Sequence, residues 1–311
     1  MPDLRLKAEE QLDKKAPVVS IGVPVFNGEK TLARMLDSLL SQTFSDFEII
    51  ISDNASTDKT SEIANSYVCK DERIRYIRQA GNIGPERNFK YVLDEARGRF
   101  FMWSAADDTR SPDFLYENVN FLKQHNDYVG STSPNCFEGQ DQNGTAVVRF
   151  ELSGLEDDRI KDFFRYCWVS HGIFYSVIQT EVLRDCEVLG QSFLGADWAV
   201  DLYLASKGKM HRTDSGMMIS GAHGISNSAN AWKRYRASFL GWFIPFHKVS
   251  LYTLKLTSHR PLEVRMQLLK ILFELNMRAA YSQFHAEFYP AYSRKIRPWI
   301  HKLRGKKSCN S

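Results

Sequence analysis

A chain of 311 residues with 43% hydrophobic and 25% charged residues has the composition of a folded protein with a sizeable core, which excludes a disordered or fibrous class. No run reaches the ~20 uninterrupted apolar residues of a spanning helix, and the charged start MPDLRLKAEEQLDKK lacks the apolar run of a secretory leader. The net charge of +4 hides an asymmetry: residues 231–311 carry 16 Lys+Arg against 3 Asp+Glu, whereas 1–230 hold 25 basic and 34 acidic residues.

In chain order, a polar lead over 1–16 precedes VVSIGVPVF (Val18 to Phe26), a short buried strand ending in Asn27-Gly28. Leu32, Met35, Leu36, Leu39 and Leu40 recur at helical spacing and predict an amphipathic helix over about 29–42. FEIIISD (Phe47 to Asp53) is a second strand, and Ser56, Thr57 and Asp58 are placed to cap a helix carrying Ile63, Ala64 and Tyr67. IRYIR (Ile74 to Arg78) is a third strand, followed by a Gly81–Pro85 turn and a helix with Phe89, Val92, Leu93 and Ala96 that Gly98 is placed to end. RFFMWSA (Arg99 to Ala105) is a fourth strand running into Asp107-Asp108.

From about 110 to 230 the pattern is mixed. Pro112 opens a helix, VGSTSPNCF, TAVVRFEL and HGIFYSVI read as strands, and a helix is expected around 157–168. Another helix begins at Ala196–Val200, carries Leu202, Tyr203 and Ala205, and ends at Gly208. Residues 231–311 read as basic helices rich in aromatics.

Strands alternating with helices predict βαβ units: an α/β, Rossmann-like, mainly parallel sheet flanked by helices, with a C-terminal helical extension. Ligands of such sheets lie off the carboxyl ends of the strands. Asn27, Asp53, Asn82, Asp107 and Asp108 all fall at those ends, so one edge gathers three carboxylates and two amides.

Adjacent carboxylates such as Asp107 and Asp108 repel each other and gain from a shared cation, and Mg²⁺ or Mn²⁺ bridges carboxylates to substrate phosphates; a solvated turn is the plain alternative. Asp53 is either a turn residue or an acceptor for the imide N–H of a pyrimidine. The stretch NIGPERN, with Asn82 and Arg87, is either an ordinary Gly-Pro turn or a helix start facing phosphate. Asp197 at a helix start and His223 in GAHGIS would not stand out from their own neighbourhoods. The scattered cysteines Cys69, Cys136, Cys167, Cys186 and Cys309 form no C-x-x-C pair and suggest reduced thiols.

The stretches VSIGVPVFNGEKTL, FEIIISDNASTDKT, NIGPERNF and GRFFMWSAADD with Pro112, in this order across about 20–112, resemble the family 2 glycosyltransferases of the GT-A fold, and GADW and HGIS extend the resemblance to about residue 226. The resemblance implies a catalytic domain over 17–230, with a nucleotide-binding half (17–112) and an acceptor half (113–230). It implies transfer of a sugar from a nucleoside diphosphate, with UDP ahead of GDP or dTDP, to an acceptor hydroxyl with inversion. By the same resemblance Pro24, Phe26, Asn27 and Glu29 match the first nucleotide loop, Asp53 the base-recognising aspartate and Ser56 its loop serine. Asn82 and Arg87 match the phosphate-facing loop, and Asp107 lies near the ribose or the metal. The implied Mg²⁺ or Mn²⁺ ligands are Asp107, Asp108 and His223, and the implied catalytic base is Asp197. Two positions depart from the pattern: Ala105 stands where many members carry an acidic residue, and Ala196 replaces the usual acidic neighbour of the base.

A non-catalytic sugar-nucleotide module is the alternative from another class. A sugar-nucleotide pyrophosphorylase lacks support because its glycine-rich signature is missing, and a glycosidase would have no need of the nucleotide-like loops. The expected setting is polysaccharide, lipopolysaccharide or glycolipid synthesis in the cytoplasm, at the inner face of the membrane. The acceptor would be a glycan or a lipid-linked sugar. The basic tail, with Trp232, Phe239, Trp242 and Phe243 among cations and a stripe of Leu268, Leu269, Ile271, Leu272 and Leu275, either packs on the catalytic domain or contacts a membrane. No nucleic-acid recognition motif accompanies the charge.

Overall fold

The computed structural model of the chain describes residues 16–140, 151–168, 172–221, 231–236 and 238–291. It divides into two compact units, one comprising residues up to 191 with 200–222, the other 192–199 with 223 onward.

The first unit contains β1 (Val19–Val25), α1 (Leu32–Leu40), β2 (Phe47–Asp53), α2 (Thr60–Val68), β3 (Ile74–Arg78), α3 (Pro85–Asp94) and β4 (Phe100–Trp103). Then come β5 (Thr109–Arg110), α4 (Phe114–Gln124), β6 (Tyr128–Thr132), β7 (Asn135–Phe137), α5 (Glu156–Tyr166), β8 (Val177–Gln179) and α6 (Thr180–Arg184). α7 (Ala196–Lys207), whose first four residues belong to the second unit, leads to β9 (Lys209–Arg212) and β10 (Met218–Ser220). Among the described residues the main sheet has the order β3-β2-β1-β4-β8-β6-β9, and β5-β10-β7 form a small second sheet. β1 to β4 are mutually parallel, whereas β8 runs antiparallel to both β4 and β6.

Every residue of β1 and β2 is buried, as expected of parallel strands covered on both faces. Val19, Ile21, Val23 and Val25 alternate onto one face with Ile49, Ile51, Phe100 and Met102, and there meet Leu32, Met35, Leu36 and Leu39 of α1 and Phe114 and Val119 of α4. On the other face Gly22 lies so close to Val92 of α3 and Phe101 that a Cβ would come within 2.6 Å of both. Gly98 does not end a helix as expected, since α3 stops at Asp94. It passes against β1 instead, where a Cβ would meet the Ser20 nitrogen at 2.6 Å.

Three expectations change in detail. Ser133 and Pro134 split VGSTSPNCF into β6 and β7, which belong to different sheets. Of the described part of HGIFYSVI, residues 172–178, only the end becomes strand β8, and most of TAVVRFEL lies outside the described residues. Of the three residues expected to cap α2, Asp58 receives the Thr60 N–H at 3.0 Å, whereas the Ser56 and Thr57 hydroxyls turn to Asn27.

At the amino end of β2, Glu48 is buried and accepts bonds from Ser20 Oγ (2.7 Å), Arg97 Nη2 (2.6 Å) and Arg75 Nη1 (3.3 Å). Burial alone would raise its pKa, but these donors outweigh it and hold the carboxyl below its usual range. The stability it contributes is therefore present above the unfolded carboxylate value and disappears as pH falls through the lowered folded value. Glu48→Gln is expected to destabilise the protein by about 2 kcal/mol at pH 7, discounted for partly exposed arginines. The difference should shrink in acid urea melts; equal midpoints at pH 7 would refute it.

The second unit contains α8 (Ala231–Tyr235), α9 (Leu240–Phe243), α10 (His247–Leu256) and α11 (Leu262–Ala291). Phe246, Val249, Tyr252, Leu268, Leu272, Leu275 and Ala279 are buried. The Asn276 side chain ties α11 to α10, accepting from Phe246 N–H at 2.8 Å and donating to Ser250 Oγ at 2.9 Å. Of the apolar stripe expected over 268–275, Leu269 is 43% exposed and turns to the other side of the helix. No helix among the described residues is long and apolar enough to cross a membrane.

Candidate nucleotide site and acidic pair

Parallel pairing places the carboxyl ends of β1, β2 and β3 level, with Val25 opposite Asp53 and Asp53 opposite Arg78. The loops leaving these strands bind one another. Asn27 N–H donates to Ser56 Oγ (2.9 Å), Gly28 N–H to Thr60 Oγ1 (2.8 Å) and Glu29 N–H to Asp58 Oδ2 (3.0 Å). In return Thr57 N–H donates to Asn27 Oδ1 (2.8 Å) and Lys59 N–H to Glu29 Oε2 (3.3 Å). Asn27 and Ala55 both adopt positive φ, 53° and 60°, a left-handed turn that costs an L-residue free energy and persists because neighbours fix it. Pro24 is buried within β1, whereas Phe26 is 50% exposed.

Asp53 has no exposed surface. Its Oδ1 accepts the Ser56 N–H (2.8 Å), and Oδ2 accepts Tyr76 Oη (2.7 Å) and Arg78 Nη1 (2.9 Å). A carboxylate offers about four acceptor positions, so one remains. Arg78 Nη2 also donates to the Ser56 carbonyl at 2.7 Å, closing the ring around the loop. Desolvation and the bond to Asp53 push the Tyr76 hydroxyl above its ordinary pKa. Tyr76 and Arg78 escaped the sequence reading, although their two-residue spacing on a strand puts both on one face.

The third loop joins through amides. Asn54 donates to Asn82 Oδ1 (3.1 Å) and accepts the Ile83 N–H (2.8 Å), while Asn82 Oδ1 also takes the Gly84 N–H (2.9 Å). Gly84, at φ 87°, opens α3, on whose first turn Arg87 is exposed.

The fourth strand delivers the acidic pair. Asp107 is partly exposed and its carbonyl accepts Arg34 Nη2 at 3.3 Å, while Arg34 Nη1 pairs with Glu138. The Glu138 bond, ahead of Asp107, raises the Arg34 pKa. Asp108 is 3% exposed; its Oδ1 accepts the Gly221 N–H at 3.0 Å, and its buried Oδ2 has no hydrogen-bond partner. Burial pushes the Asp108 carboxyl up to about 6, with buried Arg110 opposing the shift and Asp107 adding to it. Arg110 is held by Ser104 Oγ (2.7 Å) and the Trp103 carbonyl (3.0 Å), and burial lowers its pKa.

Gly221 was also missed. Any Cβ there would overlap the Asp107 carboxylate, so glycine lets both aspartates close on one backbone. The stretch GAHG contained that signal, but its partners lie 113 residues earlier.

The acidic pair suits a hard divalent cation. Its donors are all oxygen and one buried oxygen is orphaned, and Mg²⁺ completes such a pair with substrate phosphates. Among the described residues no group of three or more His, Cys, Asp or Glu is placed to hold a metal unaided. His223 lies outside the described residues.

Asp197 belongs to the second unit. Gly195, at φ 80°, turns the chain into α7 against Val249 and Phe246, and Trp198 stacks on Phe246 with ring centroids 4.8 Å apart. That packing fixes the first helical turn, on which Asp197 is exposed, with Oδ1 accepting the Trp198 N–H at 3.0 Å.

Comparisons with known proteins follow this geometry. The GalNAc(5)-diNAcBac-PP-undecaprenol beta-1,3-glucosyltransferase of Campylobacter jejuni is 29% identical over 203 residues, 63% of each chain. Matches at 34% identity cover 44% and 48% of two further curated relatives, so the chain spans about half the length of the curated relatives it matches. The structure of S. aureus TarS 1-349 in complex with UDP-GlcNAc superposes with a TM-score of 0.59 at 17% identity, covering 90% of this chain and 76% of that one. Mannosyltransferase PcManGT from Pyrobaculum calidifontis, in complex with GDP-Man and Mn²⁺, gives a TM-score of 0.53 at 14% identity over 98% and 86% of the two chains. At these identities the likeness is one of fold. A family model described as Glycosyl transferase family 2 matches residues 20–176, half of the chain, beginning within β1 and taking in the interlocked loops and the acidic pair, and the chain therefore belongs to glycosyl transferase family 2.

Proposed function

We propose that this protein transfers a sugar from a nucleoside diphosphate, a UDP-sugar first among them, to an acceptor hydroxyl with inversion at the anomeric carbon. The observation that carries the reading is the convergence of four strand-end loops on one sheet edge, where Asp108 keeps a buried oxygen without a partner. The UDP-GlcNAc complex of TarS and the GDP-Man complex of PcManGT support a sugar-nucleotide donor.

In this reading the loops at 26–29 and 54–60 receive the nucleoside, with Pro24, Phe26, Asn27, Glu29 and Ser56 shaping its seat. Asp53 orders that seat through Ser56, Tyr76 and Arg78, and takes the imide N–H of a pyrimidine once the half-exposed Arg78 swings aside to uncover its carboxylate. Asn82 and Arg87 face the phosphates at the start of α3, where helix N–H groups favour anions. Asp107 and Asp108 would hold Mg²⁺ or Mn²⁺, with His223 as a further ligand. The ion supplies charge neutralisation for the departing diphosphate. Asp197 accepts the proton of the attacking hydroxyl. Binding energy from the nucleoside orients the anomeric carbon without itself reacting.

The acceptor is a glycan or a lipid-linked sugar of polysaccharide, lipopolysaccharide or glycolipid synthesis, by analogy with the undecaprenol-linked substrate named for the Campylobacter relative. The test is thermal melting with UDP, GDP and dTDP, each with and without Mn²⁺. A ligand at a hundredfold excess over its Kd adds about 2.7 kcal/mol, so UDP with Mn²⁺ is expected to raise the midpoint by about 5 °C. No shift with any nucleotide would overturn the proposal.

A further inference from the structure

Arg110 is buried, and a guanidinium taken out of water gains most when its donors meet a carboxylate. Its side chain is bonded to neutral oxygens instead. Nη1 donates to Ser104 Oγ at 2.7 Å and Nη2 to the Trp103 carbonyl at 3.0 Å, while Nε has no partner among the described residues. The Phe114 ring lies against the guanidinium, 5.3 Å from Cζ to its centroid, and restricts the fork further. Trp103 is the last residue of β4, Ser104 the first beyond it, and Arg110 the last of β5. The fork therefore closes the segment 104–108, which carries Asp107 and Asp108, from one end to the other.

The segment's own residues supply little rigidity. Ala105 and Ala106 have no side-chain donor or acceptor, and no proline restricts the backbone. The Ser104 N–H rests on the Gly22 carbonyl at 2.9 Å and the Asp108 N–H on the Ala105 carbonyl at 3.2 Å. The Arg34 bond to the Asp107 carbonyl is exposed and long, at 3.3 Å. On its other side the Arg110 backbone lies opposite Met218 of β10, the strand that runs into Gly221, whose N–H meets Asp108 Oδ1. One residue thus joins the end of the main sheet, the small sheet and the acidic turn between them.

We propose that Arg110 is a positioning residue: its guanidinium staples the acidic turn so that the Asp107 and Asp108 carboxylates are set at one spacing before a divalent cation arrives. This inference rests on the reading of that pair as cation ligands. A preset pair gives up less conformational freedom on binding than a loose one. The charge of Arg110 works the other way, since one cation repels another nearby. Its benefit to the pair is therefore geometric.

The test is Mn²⁺ titration of the full chain in the presence of UDP, followed by the electron-spin resonance of free Mn²⁺. Arg110→Lys and Ser104→Ala both keep the positive charge, and each breaks the fork. Arg110→Lys is expected to weaken Mn²⁺ binding about ten- to a hundredfold, the usual effect of losing a group that orients metal ligands. Ser104→Ala, which loses one anchor only, should weaken it about tenfold. UDP affinity in a chelator should stay within about twofold of the wild type, because the nucleoside loops share no partner with the fork. A role through charge alone predicts no change in either variant. Unchanged Mn²⁺ affinity in Ser104→Ala would overturn the proposal, and this milder variant decides the matter if Arg110→Lys does not fold. Equal losses of Mn²⁺ affinity and of UDP affinity in chelator would mark a general distortion and overturn it too. A wild type that takes up no Mn²⁺ would remove the acidic pair as cation ligands and Arg110 with it, whereas tight wild-type binding with unchanged variants would remove Arg110 alone.

Discussion

Asp197→Asn is expected to lower turnover by about two to four orders of magnitude, the usual contribution of a positioned general base, while donor affinity changes little. The carboxamide keeps the shape of the side chain and can still accept the Trp198 N–H, so the start of α7 stays folded. It has no basic lone pair to take the acceptor proton. Turnover and nucleotide affinity, measured separately by product formation and by titration with UDP, therefore part company in this variant. Near-normal turnover would remove Asp197 from the mechanism. Equal losses in both quantities would make it a binding residue instead.

Asp108→Asn is expected to move activity and stability in opposite directions. If Asp108 helps to hold a cation that would neutralise the departing diphosphate, loosening that hold costs roughly 10²–10³ in turnover. Stability should rise. The folded-state pKa of Asp108 is raised to about 6 from an ordinary 3.8 by burial, so the folded protein binds this proton more tightly than the unfolded chain. The stabilising effect of the protonated form is complete below the unfolded value, and it is lost as pH climbs through the folded one. In metal-free buffer the wild type should weaken between about pH 4 and pH 6, while the amide variant lacks that decline. At pH 7 the difference is on the order of 1–3 kcal/mol in favour of the variant, reduced by whatever Arg110 loses with its counter-charge. Urea melts across this range with a chelator decide the matter. Parallel pH profiles for the two proteins would sink the assignment.

Much of the chain up to β4 was legible from the sequence. β1, β2, β3 and β4 are apolar runs stopped by polar turns, and parallel strands covered on both faces leave that signature. Asp53, Asp107 and Asp108 fell at strand ends for the same reason. Two strands of the small sheet were not legible, because β5 and β10 are two and three residues long and show no period, and β7 was read only as the end of a longer strand. The partners of the aspartates were hidden differently. Arg78 looked like the polar end of a strand, Arg110 like a turn residue and Gly221 like part of a loop. Each is defined by what it meets across the fold, as Gly221 is by Asp108. The buried, almost saturated state of Asp53 was likewise invisible, because it depends on side chains from β3.

The stitching between the first two strand-end loops restricts how this protein can change. Because Asn27 lends its amide oxygen to Thr57 while its own N–H rests on Ser56, and Glu29 and Asp58 repeat the exchange, neither segment can be replaced alone without stranding donors on the other. A descendant with different loops at this edge would have to swap both segments together, as one inherited cassette.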